Sequence, residues 1–141
     1  MNGALIAAAV LAAATVFGLL WRRRDGVLRA SGQNGDDVSE TLRPDELGAD
    51  LGEKATLLQF SSAFCAPCRA TRRVLGEVAE MVDGVAHVEL DAESHLDLVR
   101  RLNVVRTPTV LVLDAAGRVV RRASGAPRKP DVIAALGEAV R

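Results

Sequence analysis

The sequence predicts an α/β fold, in which a mixed β-sheet is covered by helices on both faces and preceded by a single N-terminal transmembrane helix. Three observations predict it. An uncharged run extends from Gly3 to Trp21, strand-length and helix-length segments alternate after it, and the two cysteines lie three positions apart between a strand and a helix. Such alternation is typical of a sheet with helices packed on its faces.

The length and the charge of the chain limit what it can be. A chain of 141 residues can bury one hydrophobic core and carry an appendage, but it is too short for two domains. Lys and Arg together number 18, as do Asp and Glu, and the aromatic residues are three Phe and one Trp. Because neither a basic surface nor a set of stacking side chains is available, nucleic-acid binding is excluded.

The first predicted element is a membrane anchor over residues 1–24. The uncharged run from Gly3 to Trp21 has about the 17–25 residues that a helix needs to span a bilayer. Trp21 suits the membrane interface, and the three arginines 22–24 follow it. A cleavable signal peptide has its positive charge before the apolar run. An uncleaved anchor is therefore favoured, with a cleaved signal or a buried helix of the domain as alternatives.

The same arginines predict the orientation of the anchor. Positive charge is enriched on the cytoplasmic side of membrane segments, and here it follows the apolar run. We therefore expect a single-pass protein of the cell membrane with its domain in the cytoplasm. The alternative is a signal-anchor that places the domain on the extracytoplasmic side.

Residues 25–40 are predicted to form a flexible linker, because they are rich in Gly, Ser and Asn and contain few apolar side chains. The domain is then expected to comprise residues 41–141. All the acidic residues lie at or beyond Asp25, so the part beyond the membrane-flanking arginines is mildly acidic. Binding of the membrane through the surface of the domain itself is not indicated.

The domain is predicted to contain four helices and four strands. The helices are expected at residues 44–52, from Cys65 to near Gly84, at 94–102 with Ser94 as its N-cap, and at 131–140. The strands are expected at residues 55–60, 86–90, 109–113 and 118–121. A turn at residues 114–117 would join the last two strands in a hairpin. The alternating pattern of the last strand places it at a sheet edge.

The chemistry of the chain is predicted to lie at Cys65-Ala66-Pro67-Cys68, where a strand gives way to a helix. At the start of a helix, free N–H groups and the helix dipole stabilise the thiolate of Cys65. Cys68 lies one turn later and can attack a mixed disulfide formed at Cys65. Pro67 fits the first helical turn, where its missing N–H costs nothing. Thiol–disulfide exchange is favoured over a structural disulfide, over buried inert thiols and over a zinc site that would need both histidines, His87 and His95.

Several motifs together resemble the thioredoxin family. They are the strand ending at residues 58–60, the Cys65–Cys68 motif, the segment Val105-Arg106-Thr107-Pro108-Thr109, and Gly117 and Gly125 around a hairpin. The resemblance extends from about Pro44 to Arg141. A lone Cys-x-x-Cys motif would be weak evidence, but its combination with Thr-Pro-Thr before an apolar strand is specific. The resemblance implies a thioredoxin-like fold for the domain.

The resemblance also implies roles for individual residues. Cys65 and Cys68 would be catalytic, and Pro108 would follow a cis peptide bond and pack against the active-site disulfide. The residues expected to bind substrate are Phe64, Ala66, Pro67, Thr107 and Pro108. The backbone of Thr107 would pair with an extended segment of the substrate. An ordinary trans proline that begins a strand is the alternative for Pro108.

The sequence departs from the family pattern at four positions. Phe64 replaces the usual Trp before the first cysteine, and Arg73 replaces a proline in the following helix. Gln59 stands in place of a buried aspartate that accepts a proton, and His87 in place of its lysine neighbour. The proton of Cys68 must therefore leave either to water or through His87 as a proton relay with Gln59. The alternative for His87 is a partly exposed strand residue without a role in proton transfer.

These observations predict a membrane-tethered thiol-disulfide oxidoreductase that reduces protein disulfides, without a metal or cofactor. Its partners would be protein disulfides, the membrane, and an electron donor such as a thioredoxin reductase-like system. The Ala-Pro pair between the cysteines is similar to the Gly-Pro of reducing thioredoxins, which favours reduction. The alternatives are an exported thiol-disulfide interchange protein for extracytoplasmic clients or cytochrome maturation, and a non-catalytic module that binds metal or protein through the cysteines.

Overall fold

The computed structural model describes residues 1–30 and 40–141. Helix α1 (Asn2–Arg24) is followed by the short strand β1 (Arg29–Ala30) and helix α2 (Pro44–Leu47). The next elements are β2 (Ala55–Ser61), α3 (Ala66–Met81), β3 (Val85–Asp91), a 3₁₀ turn (Ala92–Ser94) and α4 (Leu96–Arg101). The chain ends with β4 (Thr109–Asp114), β5 (Val119–Ser124) and α5 (Lys129–Ala139).

The strands form one mixed five-stranded sheet in the order β1-β5-β4-β2-β3. Strand β2 is parallel to β3 and antiparallel to β4, while β5 is antiparallel to both β4 and β1. This is the mixed sheet that the sequence predicts. Its two central strands, β2 and β4, are buried along almost their whole length.

The side chains of the sheet divide the core into two layers, because neighbouring residues of a strand point to opposite faces. In β4, Val110 and Val112 pack with α3 and α5 on one face. Leu111 and Leu113 pack on the other face with Leu42, Leu47, Leu98 and Leu102, which come from the segment that includes α2 and from α4. Helices therefore cover both faces of the sheet, as predicted.

Helix α1 is long and apolar enough to cross a membrane, and none of its apolar window is buried against the rest of the protein. Its last turn contains the arginines 22–24. A signal sequence near an N-terminus can meet the same criteria of length and composition, so this finding identifies α1 as a candidate membrane span.

Three details of the predicted elements are wrong. The first helix ends at Leu47, because Gly48 adopts the left-handed conformation with φ 64° and stops it well before Gly52. Ser94 does not cap α4: its hydroxyl donates to Asp91 Oδ2 at 3.0 Å, and it belongs to the 3₁₀ turn. Strand β5 is not at the sheet edge, because β1 pairs with it.

The edge of β5 is covered by two segments that precede the domain core. Arg29 and Ala30 pair with Arg122 and Arg121. Farther along, Thr41 forms a bridge with Arg118. Residues 25–30 of the predicted linker are thus in contact with the domain, whereas its residues 31–39 lie outside the described part of the chain.

Candidate active site

The two cysteines lie where β2 ends and α3 begins. Cys65 is the N-cap residue of α3, and a proline occupies the first turn of the helix, as predicted. The backbone N–H of Cys68 donates to Cys65 Sγ at 3.2 Å. This N–H and the positive end of the helix dipole both favour negative charge on that sulfur.

The cysteines are joined in a disulfide, with 5.2 Å between their Cα atoms. Their exposure differs: Cys65 is half-buried, whereas Cys68 is only 1% exposed. An external disulfide can therefore approach Cys65, whereas burial keeps it away from Cys68. This asymmetry is what an attacking and a resolving thiol require.

The residue before the first cysteine projects away from the protein. Phe64 is fully exposed and has a positive φ of 60°, a conformation that is uncommon for a residue other than glycine. Val105, which lies two positions before Thr107 in sequence and was not predicted to bind substrate, is also largely exposed. Ala66 and Pro67 are exposed at the start of α3. The structure therefore leaves apolar side chains next to Cys65 open to solvent.

The Thr107–Pro108 peptide bond is cis, as the resemblance implies. This loop is joined to the cysteine loop, because the hydroxyls of Ser62 and Thr107 are hydrogen-bonded at 2.8 Å. On its other side, the N–H of Gly125 donates to the carbonyl oxygen of Pro108 at 2.7 Å. The structure thus brings the predicted substrate-binding loop and the cysteine loop together. The contribution of Ser62 was not predicted, since a lone serine beside the motif carries no distinctive signal.

Gln59 lies fully buried in β2 and connects the cysteine helix to His87. Its Nε2 donates to the carbonyl oxygen of Cys68 at 2.9 Å and to Ser61 Oγ at 3.0 Å. A carbonyl oxygen can only accept, so these bonds fix which end of the amide is nitrogen. The Oε1 atom of Gln59 therefore faces His87 Nε2 at 3.1 Å, and that ring nitrogen must be the donor.

The neutral ring and the imidazolium both carry this N–H, and the surroundings of His87 favour the neutral ring. Burial lowers the pKa of His87, the charge of Glu89 opposes this shift, and the charge of Arg72 adds to it. Arg72 and Glu89 are joined by two hydrogen bonds of 2.6 and 2.7 Å, so the two charges largely offset each other. The amide of Gln59 connects His87 to the backbone carbonyl of Cys68 and not to its sulfur.

The described residues offer no set of ligands for the zinc site that was considered as an alternative. No three His, Cys, Asp or Glu side chains of residues 1–30 and 40–141 are grouped so that they could hold a metal ion. His87 is bonded to Gln59, and the Nδ1 atom of His95 lies 2.9 Å from the carbonyl oxygen of Asp91. The two histidines therefore have separate partners.

Comparison with known proteins places these features in a family. A family model described as Thioredoxin matches residues 38–138. A thioredoxin of Mycobacterium tuberculosis is 32% identical over 88 residues, which cover 62% of this chain and 75% of that protein. The bifunctional thioredoxin reductase/thioredoxin of Mycobacterium leprae is 31% identical over 88 residues, and the match spans 19% of its length.

Solved structures show the same fold. Thioredoxin f from spinach chloroplast has a TM-score of 0.57 at 24% identity, with 72% of this chain and 88% of that chain covered. A mutant thioredoxin from Halobacterium salinarum has a TM-score of 0.59 at 18% identity, with 74% and 88% covered. The mixed sheet and its helices therefore form a thioredoxin-like fold.

The environment of His87 generates a prediction about acid stability. Because the folded state lowers the pKa of His87 below its ordinary value of 6.5, the unfolded chain binds a proton more readily. The stability that this residue contributes is present above about pH 6.5 and is lost as the pH falls through the lowered pKa. His87→Gln keeps an N–H donor for Gln59 and cannot be protonated. We therefore expect its melting temperature to fall less than that of the wild type as the pH is lowered.

The measurement is the melting temperature between about pH 7.5 and pH 5. His87→Ala serves as the second variant, because it leaves Gln59 Oε1 buried without a donor and should cost about 1–3 kcal/mol at neutral pH. If the melting temperatures of the wild type and of His87→Gln depend on pH in the same way, the lowered pKa of His87 does not contribute to acid instability.

Proposed function

The chain belongs to the thioredoxin family, and we propose that it is a membrane-tethered thiol-disulfide oxidoreductase that reduces protein disulfides through Cys65 and Cys68. The observation that carries the proposal is the Cys65–Cys68 disulfide at the start of α3. The partial exposure of Cys65, the burial of Cys68 and the adjoining cis-proline loop support it.

The first step starts from the reduced protein. The thiolate of Cys65 attacks one sulfur of the client disulfide, so a Cys65–client bond forms and the client S–S bond breaks. The first client cysteine leaves as a thiolate and takes a proton from solvent. The N–H of Cys68 and the N-terminus of α3 favour the thiolate that makes this attack.

The second step releases the client. Cys68 loses its proton and attacks Cys65 Sγ, which forms the intramolecular disulfide seen in the structure and breaks the mixed disulfide. The second client cysteine leaves as a thiolate and is protonated. Two electrons have then passed from the protein to the client, whose disulfide has become two thiols.

The client segment is proposed to lie between the two loops that the Ser62–Thr107 hydrogen bond joins. The backbone of Thr107 would pair with the extended segment, and Pro108 would pack beside the sulfurs. Phe64, Ala66 and Pro67 would contact the client with apolar surface that is otherwise open to water.

We propose that the proton of Cys68 leaves to water. His87 Nε2 is already a donor to Gln59, and the amide nitrogen of Gln59 contacts the carbonyl oxygen of Cys68. An amide has no readily transferred proton, so these two residues hold the backbone of Cys68 in place. They act as positioning residues in this proposal.

Regeneration of the dithiol needs two electrons, for which we propose a thioredoxin reductase-like donor. The relative from Mycobacterium leprae bears both names, thioredoxin reductase and thioredoxin, for one protein. Helix α1 would hold the protein in the cell membrane, and the arginines at its end support a cytoplasmic domain.

The division of roles between the cysteines can be tested with the full-length protein in detergent micelles. We expect the reduced protein to release free thiols from insulin when a dithiol is supplied, and Cys65→Ser to abolish this turnover. Cys68→Ser should instead accumulate a mixed disulfide, because the attacking thiol remains and the resolving thiol is missing. Mass spectrometry detects the adduct, and the double variant is the control that captures nothing. Equal loss of capture in both single variants would contradict these roles.

The route of the Cys68 proton predicts how the second step depends on pH. We expect His87→Gln to release the second client thiol with the wild-type pH profile and within about twofold of the wild-type rate, because water takes the proton. Stopped-flow measurement of thiol release from a preformed mixed disulfide checks this. The loss of an inflection near the histidine pKa in the variant would instead make His87 the proton acceptor.

Membrane attachment predicts that the full-length protein resists extraction at high salt and alkaline pH and is released by detergent, since about 18 apolar residues would be buried in hydrocarbon. A C-terminal alkaline phosphatase fusion should be inactive, because this reporter works only outside the cytoplasm. Neutral residues at positions 22–24 together with an added Arg after Met1 should invert the orientation of the protein, so that the fusion becomes active. A fully active wild-type fusion would reverse the orientation and support the exported interchange protein.

A further inference from the structure

The segment that leaves helix α1 is attached directly to the loop that bears the cis-proline. Asp25, the first residue after the helix, pairs with Arg106 at 2.8 Å, and Arg106 immediately precedes Thr107. The N–H of Gly26 then donates to the carbonyl oxygen of Ser124 at 3.0 Å. No free chain therefore separates the end of α1 from the active-site loop.

This attachment does not depend on the exposed ion pair alone, because an ion pair in contact with solvent contributes little to stability. Gly26 has φ +73°, and a Cβ atom there would lie 2.0 Å from the carbonyl oxygen of Ala126. Only glycine fits so close to that backbone. Arg106 also donates to the carbonyl oxygen of Ser124 at 2.6 Å, and β1 continues the contact by pairing with β5. Several independent contacts thus fix the segment.

As a result, α1 and the active site border one groove of about 1250 Å³. Leu19 and Arg22 contribute one wall from the last turns of α1, while Pro67, Thr107 and Pro108 contribute the wall next to the cysteines. Leu19 belongs to the apolar run, and Arg22 begins the positive cluster at its end. The groove therefore extends from the cysteine motif to the part of α1 that would meet the membrane surface.

The charges of the groove separate into two groups. Arg106, Arg121 and Arg128 are paired with Asp25, Glu138 and Asp131, respectively. Arg22 and Arg23, which also line the groove, form no ion pair with any residue in the described part of the chain. Arginines without an ion-pair partner among the described residues, beside an apolar helix, suit the phosphate groups of lipids.

We infer that the attached segment holds the active site against the membrane, and that the client is an integral membrane protein whose disulfide lies close to the bilayer surface. The inference rests on the proposed function and its membrane anchor. A client in the same membrane would reach the groove by lateral diffusion, and the fixed geometry would raise the effective concentration of its disulfide at Cys65. Two electrons would pass from the Cys65–Cys68 dithiol to the client disulfide, which becomes two thiols.

The test uses full-length reduced protein in phosphatidylcholine/phosphatidylglycerol vesicles and three substrates with the same disulfide loop. The near substrate is a single-span peptide with the loop next to its span. The far substrate has a spacer of about 12 prolines, which extends about 37 Å. The soluble substrate is the loop without a span. We expect the wild type to reduce the near disulfide at least about tenfold faster than the far one.

Two variants separate the attachment from the chemistry. An insertion of about ten Gly and Ser residues between Arg24 and Asp25 reaches roughly 17 Å and should move the near-to-far ratio toward one, with an unchanged rate on the soluble loop. Gly26→Ala should lower the same ratio, because its Cβ atom would displace the segment. Gly48→Ala is the matched control, because Gly48 also has a positive φ but has no atom within 4 Å of an added Cβ.

The outcomes distinguish the inference from the function on which it rests. Equal rates on the near and far disulfides in the wild type, with normal reduction of the soluble loop, would overturn the inference and leave the reductase standing. If none of the three substrates is reduced, the proposed function is overturned as well.

Discussion

The antiparallel register between β2 and β4 is the constraint from which the active site follows. It sets Phe60 opposite Thr109 and Gln59 opposite Val110. The loop before β4 therefore meets the loop after β2, and Thr107 can bond Ser62. A slip of one residue would turn every side chain of β4 to the other face and exchange its two core layers. The two hydrophobic layers thus fix the positions of the cysteine and proline loops.

The buried pair of Gln59 and His87 shows how a charged site can be replaced by a neutral one. The family pattern implied an acid and a lysine at these positions, which would compensate each other's burial. Here the amide donates to the Cys68 carbonyl oxygen and accepts from His87 Nε2, so the bonded atoms that connect these residues are satisfied without net charge. The lowered pKa of His87 agrees with this arrangement, because burial makes a charged ring unfavourable in this half-buried position.

The sequence was sufficient to predict the elements whose signals are strong and local. The apolar runs of β2 and β4, the amphipathic α3 and the cysteine motif all appear where their patterns placed them. Strand β1 was missed, because two residues have no periodicity, and their pairing with β5 is decided by contacts distant in sequence. Its residue type alone predicts that Ser94 caps α4, but in the structure the Ser94 hydroxyl donates to Asp91. The amide orientation of Gln59 likewise depends on partners that only the fold brings together.

Strand β1 also covers the outer side of β5. Without it, the backbone N–H and C=O groups of β5 that point to that side would lose the partners that the pairing with Arg29 and Ala30 supplies. Unpaired strand edges attract other extended chains and promote association. The two residues of β1 therefore also protect this edge, and proteolysis after Ala30 that removes α1 together with β1 would release a protein with an unpaired edge on β5.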